Sequence, residues 1–404
     1  MALNFPPNPT TGQRYLNYVF TGVAWTVSAN QLGEAPATGQ AYVRDGATNQ
    51  WLLEPANPNK LLNPFMEIDQ ANEGATINVA NARYVADGFQ AQQSINGGVI
   101  NAVRQSTGGP VSYPFNILMN VATAVTSVGA TSYSMFLQVL EASDCYDTQW
   151  GTANAQPITV AFWANCTANV AGTYYMSVRN ATANRSYVVP FTLTGNTWQL
   201  FVFTIPGDTA GTWPLSGNTG SITVSWAATA GTTFQTPNLN TWQTGNFLAG
   251  TGISNAYQVT AGASFLLGAC KLEVGSTATP MLRTSFQQEL ARCQRYYEKS
   301  YNVGVVPGSN VGTSGNSQGI MLAAALGANG LQQTIGYRVT KRSSPTVTPY
   351  TYAGGIGVSV LISGSWTGTT SQFFTNGTQM GHAFAVSATG LTALAWDYVA
   401  DARL

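Results

Sequence analysis

Three features of the chain predict an all-β protein with one helix at a domain junction. From residue 61 onward, short segments rich in β-branched and aromatic residues recur between turn residues. Several of them alternate apolar and polar side chains with period two, and a helical spacing of large side chains follows residue 285. The expected architecture is a tandem of small β-hairpin modules over residues 1–60, a sandwich of antiparallel sheets over 61–280, a junction helix over 281–301 and a small C-terminal β domain over 302–404.

Composition narrows what such a chain does. Charged residues make up 8% of the 404, against about 25% in an average domain, and 16 basic residues balance 16 acidic ones. Solubility therefore rests on Thr, Asn, Gln, Ser and Gly. A neutral surface of this kind argues against nucleic acid, because phosphate binding needs clustered Lys and Arg. The start, MALNFPPNP, lacks the basic and apolar regions of a secretory signal, and no run approaches the ~20 apolar residues of a membrane span. Folding in a cytoplasm, without membrane insertion, is the expectation. Cys145, Cys166, Cys270 and Cys293 have no CxxC spacing and combine with His382, the single histidine, in no zinc pattern. Free buried thiols are expected over the three possible disulfide pairings, with no metal and no cofactor.

The first element is a repeat. Residues 9–15 read PTTGQRY and 36–42 read PATGQAY, followed by Trp25 and Trp51 respectively. In each copy Pro and Gly mark turns, Tyr15 or Tyr42 begins a strand and the Trp ends the next. Isolated hairpins are marginal in water, so each unit is expected to lean on its twin or on other chains. Pro55, Pro58 and Asn59 form a linker.

The sandwich strands are expected at 133–140, 158–164, 173–179, 186–191, 197–205, 221–226 and 265–274. In 158–163, for example, Ile158, Val160 and Phe162 face one way and Thr159, Ala161 and Trp163 the other. Next, Pro280 interrupts the chain, and Thr284 or Ser285 offers a helix cap with Gln287 or Gln288 three residues on. Phe286, Leu290, Cys293 and Tyr297 then follow at four-three-four spacing, one narrow stripe on a helix of about four turns. That stripe packs either on the adjacent β domain or on like helices of other copies. A Gly/Ser/Asn-rich connection over 303–317 precedes strand-like runs at 319–326, 333–341, 356–363, 382–387 and 393–400. Pro345 and Pro349 read as punctuation.

The string LEVGSTATPMLRTSFQQELARCQRYYEKS, with Ala400-Asp401-Ala402 near the C-terminus, resembles a signature of tailed-phage virion proteins. The resemblance covers about residues 61–404, and modules similar to 9–25 occur at the starts of such proteins. It implies a jelly-roll like that of carbohydrate-binding modules, followed by the junction helix and a distal β domain. It further implies a homotrimeric tail fibre or spike, assembled in the host cytoplasm and located in the virion. Residues 1–60 would contact other virion proteins, and the distal end would meet host cell-surface polysaccharide. A structural or head-decoration protein without receptor binding is the alternative.

A polysaccharide depolymerase would need two facing carboxylates. Glu141, Asp144 and Asp147 beside Trp150 are the candidates, although a solvated loop or a calcium-binding turn explains the cluster as well, and no catalytic residue is expected. His382 falls in a strand pattern, and Gly354-Gly355-Ile356-Gly357 is followed by no helix. Sugar binding asks for a flat aromatic face with amides and hydroxyls around it. The turn-rich stretches 207–220 and 232–252 supply Trp213 and Trp242, and the terminal domain supplies Trp366, Phe373, Phe374, Asn376 and Gln379. The neutral surface points to an uncharged polysaccharide, bound with little dependence on salt.

Overall fold

The computed structural model describes residues 59–310, 331–362 and, apart from 363–364, 370–372, 376 and 387–390, the remainder to 404. Before residue 54 it describes 7–8, 10–11, 14–15, 18–20, 23–27, 42–44 and 51–53. The chain forms two compact units, Met1–Asn57 and Pro58–Leu404. In the first, β1 (Arg14–Tyr15), β2 (Tyr18–Phe20) and β3 (Trp25–Val27) make a three-stranded antiparallel sheet. Strands β4 (Tyr42–Arg44) and β5 (Trp51–Leu53) make a two-stranded one. Tyr42 opens its strand as expected, whereas Tyr15 closes β1. Trp25 and Trp51 open theirs instead of closing them, opposite Phe20 and Arg44.

The second unit begins with the sandwich. In chain order its strands are β6 (Ile77–Asn78), β7 (Ala82–Ala86), β8 (Phe89–Ser94), β9 (Val99–Gln105), β10 (Asn116–Thr123), β11 (Tyr133–Glu141), β12 (Ile158–Cys166) and β13 (Gly172–Asn180). There follow β14 (Arg185–Leu193), β15 (Gln199–Ile205), β16 (Gly220–Ala230), β17 (Gln235–Thr236), β18 (Trp242–Thr244), β19 (Ala249–Gly250), the single-turn helix α1 (Ala256–Val259) and β20 (Ser264–Val274). One sheet has the order β15-β12-β20-β10-β9-β6 and the other β18-β14-β13-β16-β11-β8-β7. From β10 to β13 and again from β14 to β16 the chain crosses between the sheets at each step, which is the winding of a jelly-roll. All seven expected strands are present. Strands β6 to β10 went unread because Gln, Asn and Ala dilute their apolar pattern, and pairing to neighbours decides their conformation.

Aromatic rings fill the space between the sheets. Phe162 on β12 meets Phe191 at 5.2 Å and Trp226 at 5.7 Å, and Phe265 on β20 stacks on Tyr174 at 5.1 Å. Ile158, Val160 and Phe162 all face this core, as the alternation predicts. The four cysteines are buried free thiols.

The junction departs from expectation. Ser285 caps the helix, its Oγ accepting from the Gln288 backbone N–H while Gln288 Oε1 accepts from the Ser285 N–H. The helix α2 (Phe286–Gln294) then stops after nine residues, and Tyr297 lies on a strand, β21 (Tyr297–Lys299). Of the four-residue stripe, Cys293 and Tyr297 are buried within this chain, and Phe286 and Leu290 are half-buried. A long-range partner overrides the local helical spacing, because β21 pairs with the last strand of the chain, β29 (Asp397–Asp401).

The remaining strands are β22 (Leu331–Gly336), β23 (Thr346–Tyr350), β24 (Val358–Ile362), β25 (Ser365–Thr369), β26 (Phe373–Thr375), β27 (Gly381–Val386) and β28 (Leu391–Ala395). They build three small sheets, β21-β29-β23, β22-β27-β26 and β25-β24-β28, around Val358, Val360, Trp396 and Tyr398. The run expected at 393–400 divides at Trp396, and the one expected at 319–326 lies outside the described residues. Pro349 sits inside β23, an edge strand, where a missing N–H is tolerated.

Glu298 and Lys341 form an ion pair of 2.6 Å with both side chains wholly buried. Glu298 also accepts from Tyr398 Oη at 3.0 Å, and Lys341 Nζ donates to the Gln294 carbonyl at 2.6 Å. Lys341→Met strands the carboxylate without its cation. The expected loss is about 3–5 kcal/mol in urea unfolding, with much of it recovered in the Lys341→Met/Glu298→Leu double variant.

Candidate functional site

The sheet that contains β11, β13 and β16 has an outer face that is also apolar. Residues 231–255 fold back over part of it, bringing Leu239, Phe247, Leu248 and Ile253 onto Met135, Leu137, Tyr175, Val188 and Ala227. The cover is held by its own short pairing, β17 with β19, and by bonds such as Asn240 N–H to the Val188 carbonyl at 2.9 Å. Where it stops, a cavity of about 350 Å³ remains open.

Strand register sets the floor of this groove. Val139, Thr223 and Arg179 lie side by side, and Leu137, Ser225 and Ser177 form the next row, with Ser177 Oγ and Ser225 Oγ 2.8 Å apart. Tyr133 and Phe234 form one wall, edge to face with centroids 5.3 Å apart. Gln92 beside Met135 and Asn246 from the cover add amides. Gly245 turns the chain before Asn246 at φ +133, and a Cβ there would lie 2.3 Å from the Phe247 ring, so only glycine fits.

Arg179 is the unusual group. It is 7% exposed, its Nη1 donates to Asn246 Oδ1 at 2.7 Å, and its Nη2 lies 4.0 Å from Met135 Sδ. Its Nε has no hydrogen-bond partner, and among the described residues no carboxylate lines the cavity. Burial lowers the guanidinium to about 10, partly offset by Tyr133, so it stays charged at neutral pH.

The residues singled out from the sequence are placed differently. Trp213 is 6% exposed, and with Trp150 and Trp242 it forms a mutual edge-to-face trio at 4.7, 5.2 and 5.5 Å. All three indole N–H groups are bonded, to Gln156, Asp208 and Pro206 among others. The trio packs as framework, with Trp242 half-buried, and Trp150 offers no platform to a sugar. Asn376 lies outside the described residues. Trp366 is on β25 and Phe373 and Phe374 are on β26, but their side chains lie outside the described residues as well. Gln379 is exposed and donates to the Arg342 carbonyl at 3.0 Å.

Of the acidic cluster, Glu141 and Asp144 line a separate cavity of about 160 Å³ together with Arg295, Tyr296 and Arg403. Both Glu141 oxygens are held, by Arg295 Nε at 2.9 Å, Arg295 Nη2 at 2.6 Å and Tyr296 Oη at 2.7 Å. Burial raises this carboxyl, but those bonds outweigh burial and hold it below the usual range. Asp147 pairs with Lys60 at 2.7 Å. Among the described residues, no three His, Cys, Asp or Glu side chains converge on a metal position.

No family model matches the chain, and no curated protein matches it. Among solved structures, the enzymatically active domain of bacteriophage CBA120 tailspike protein 4 is similar at 10% identity and TM-score 0.27, over 54% of this chain and 21% of that one. The tandem CBM22-1–CBM22-2 domain of Paenibacillus barcinonensis Xyn10C matches at 10% identity and TM-score 0.25, over 87% and 92%. The family 11 carbohydrate-binding module of Clostridium thermocellum, solved with a β-1,3-1,4-mixed-linked tetrasaccharide, matches at 10% and 0.25, over 48% and 95%. The chain thus spans about a fifth of the tailspike chain it matches. Similarities this loose decide neither activity nor ligand.

Of the strands missed by sequence reading, β8 contributes Gln92 to the groove, while β11, β13 and β16 were expected. Tyr133, Arg179 and Phe234 were legible in principle, since Tyr133, Met135, Leu137 and Val139 make the outward side of β11 apolar, and an apolar outward side needs a cover or a ligand.

His382 has a structural setting. Its ring lies 5.4 Å from Tyr337 and 4.6 Å from Tyr398, and burial lowers it from 6.5 to about 4. Between those values the unfolded chain takes up a proton that the folded one refuses. The stability present above pH 6.5 therefore falls as the pH drops toward 4. Asp87, raised by burial to about 6, works in the opposite sense, losing stability as the pH rises through that value. The difference in melting temperature between the wild type and His382→Gln isolates the histidine and is expected to shrink on acidification from pH 7 to 4.5.

Proposed function

We propose that the protein is a non-enzymatic fibre or spike protein of a tailed-phage virion that binds a host-surface glycan in the groove over the β11/β13/β16 sheet. The observation that carries this reading is the groove itself, in which the Tyr133–Phe234 wall adjoins a floor and rim of hydroxyls and amides from Thr223, Gln92 and Asn246. Ring faces suit the apolar side of a pyranose, and the polar groups suit its hydroxyls. The phage assignment rests on the 271–301 signature. Residues 1–60, with their repeated Tyr and Trp pattern, are assigned to contacts with other virion proteins.

Catalysis is not part of the proposal. Glu141 is fully engaged in a fork with Arg295 and Tyr296, and Asp147 is paired with Lys60, so neither is free to shuttle a proton. Trimerisation supplies avidity to weak single sites. Cys293 and Tyr297 are occupied within the chain, which leaves Phe286 and Leu290 as the portion of the stripe available to other copies.

The test uses the full chain against a panel of bacterial surface polysaccharides. An aromatic contact contributes roughly 1 kcal/mol, so Tyr133→Ala/Phe234→Ala should weaken binding about tenfold or more. No new reducing ends should appear. Binding unchanged in that variant but lost in Trp366→Ala would move the site to the terminal domain. The absence of binding to any polysaccharide would favour a decoration protein. Reducing ends that vanish in Asp144→Asn would establish a depolymerase. Point substitution is preferable to deleting 302–404, since deletion removes β29 from β21 and Lys341 from Glu298.

Light scattering should give the mass of three chains, reduced to one by Leu290→Asp. A wild-type mass of one chain would remove the trimer from the reading.

A further inference from the structure

The guanidinium at the floor of the groove has a partner set that is incomplete beside three other arginines of this chain, Arg185, Arg295 and Arg403. Arg185 holds Asp208 with Nε at 2.8 Å and Nη2 at 2.5 Å. Arg295 holds Glu141, and Arg403 holds Asp401, with the same two nitrogens. In each case a planar carboxylate lies along the Nε/Nη2 edge, the two-point geometry that makes arginine a carboxylate receptor. Arg179 has the edge without the carboxylate. Asn246 occupies Nη1, Nε is unpaired, and the acceptor nearest Nη2 is the Met135 thioether at 4.0 Å, a weak one.

We infer that the groove recognises a carboxylated sugar residue, whose carboxylate completes the Nε/Nη2 edge of Arg179 while its ring lies against Tyr133 and Phe234. The inference rests on the glycan-binding reading of this groove and replaces the uncharged ligand that composition suggests. Three observations converge on it. The cation is more than nine-tenths buried and lines the cavity, no carboxylate of the described residues shares that cavity, and Asn246, seated by the Gly245 turn, fixes the opposite edge. An arginine serving only as packing would be poorly chosen, since a buried charge without a counter-ion is costly and Met or Leu would fill the same volume without that cost. The ligand carboxylate displaces the sulfur contact and supplies the missing counter-charge. No bond is made or broken.

The experiment compares oligogalacturonate and oligosialate with their methyl esters, which keep the sugar and remove the charge, by calorimetry on the full chain. At least one acid should bind roughly tenfold more tightly than its ester, and the one that does so identifies the source of the carboxylate. Arg179→Gln should abolish the difference between acid and ester, and Arg179→Met should melt no lower than the wild type. Equal binding of acid and ester, lost together in Tyr133→Ala, would overturn the inference and leave the glycan reading standing. Absence of binding to all four would overturn both. Tighter binding of dextran sulfate than of either acid would also overturn it, in favour of a sulfate or phosphate ester. Should Arg179→Gln fail to fold, the wild-type comparison of acid and ester decides alone.

Discussion

Everything beyond the sandwich depends on a short run of ion pairs around the end of α2. Glu289 pairs with Arg292, Arg295 with Glu141, Glu298 with Lys341 and Lys299 with Glu73. In a chain with 16 basic and 16 acidic residues this is a heavy concentration in one seam. Apolar surfaces tolerate sliding, but a misplaced register here would leave charges buried and unpaired. The seam therefore fixes where β21 lies, and β21 in turn gives β29 a partner and sets Tyr297 against Arg403, whose guanidinium also stacks on Tyr84. The sandwich and the terminal sheets are joined by matched charges, not by a free-standing helix.

The groove arises from a different constraint. Two sheets packed face to face bury their inner sides, yet β11 places Tyr133, Met135, Leu137 and Val139 on the outer side as well. Residues 231–255 cover only part of this second apolar face. The uncovered remainder is the groove, so the depth of the site follows from the length of the cover and the point where Gly245 turns it. Asn246 follows that turn, and the amide that meets Arg179 is thereby positioned by the same loop that forms the wall.

Much of this was legible in the sequence. Strands with Val, Ile, Phe and Tyr at alternate positions, such as β12, β14 and β20, are where local pattern and burial agree. So is the capping box at Ser285 and Gln288. The length of α2 was not legible, since four-three-four spacing continues through Tyr297 while the chain is pulled into a ladder with a strand about a hundred residues away. The packing of the tryptophans was not legible for a related reason. Trp150, Trp213 and Trp242 come from three separate stretches of the chain, and only the folded chain brings them into one satisfied cluster. Arg179 was hidden in the opposite way. A net charge of zero describes the sum, and it says nothing about a buried cation such as Arg179 that has no carboxylate beside it.

That distinction bears on how such a surface selects a ligand. A strongly basic face attracts any polyanion through a long-range field, with affinity that falls steeply in salt. A neutral surface with one desolvated guanidinium creates almost no field at a distance, because ions screen it within about 8 Å at physiological salt. Its attraction acts only on a group that enters the groove and fits the edge presented there. A nucleic acid, with its charge on a continuous backbone, gains nothing from a recessed cation it cannot reach. On the proposed reading, a sugar carboxylate projecting from a ring that rests on Tyr133 and Phe234 would reach it, and discrimination would come from the burial of the charge and not from its amount.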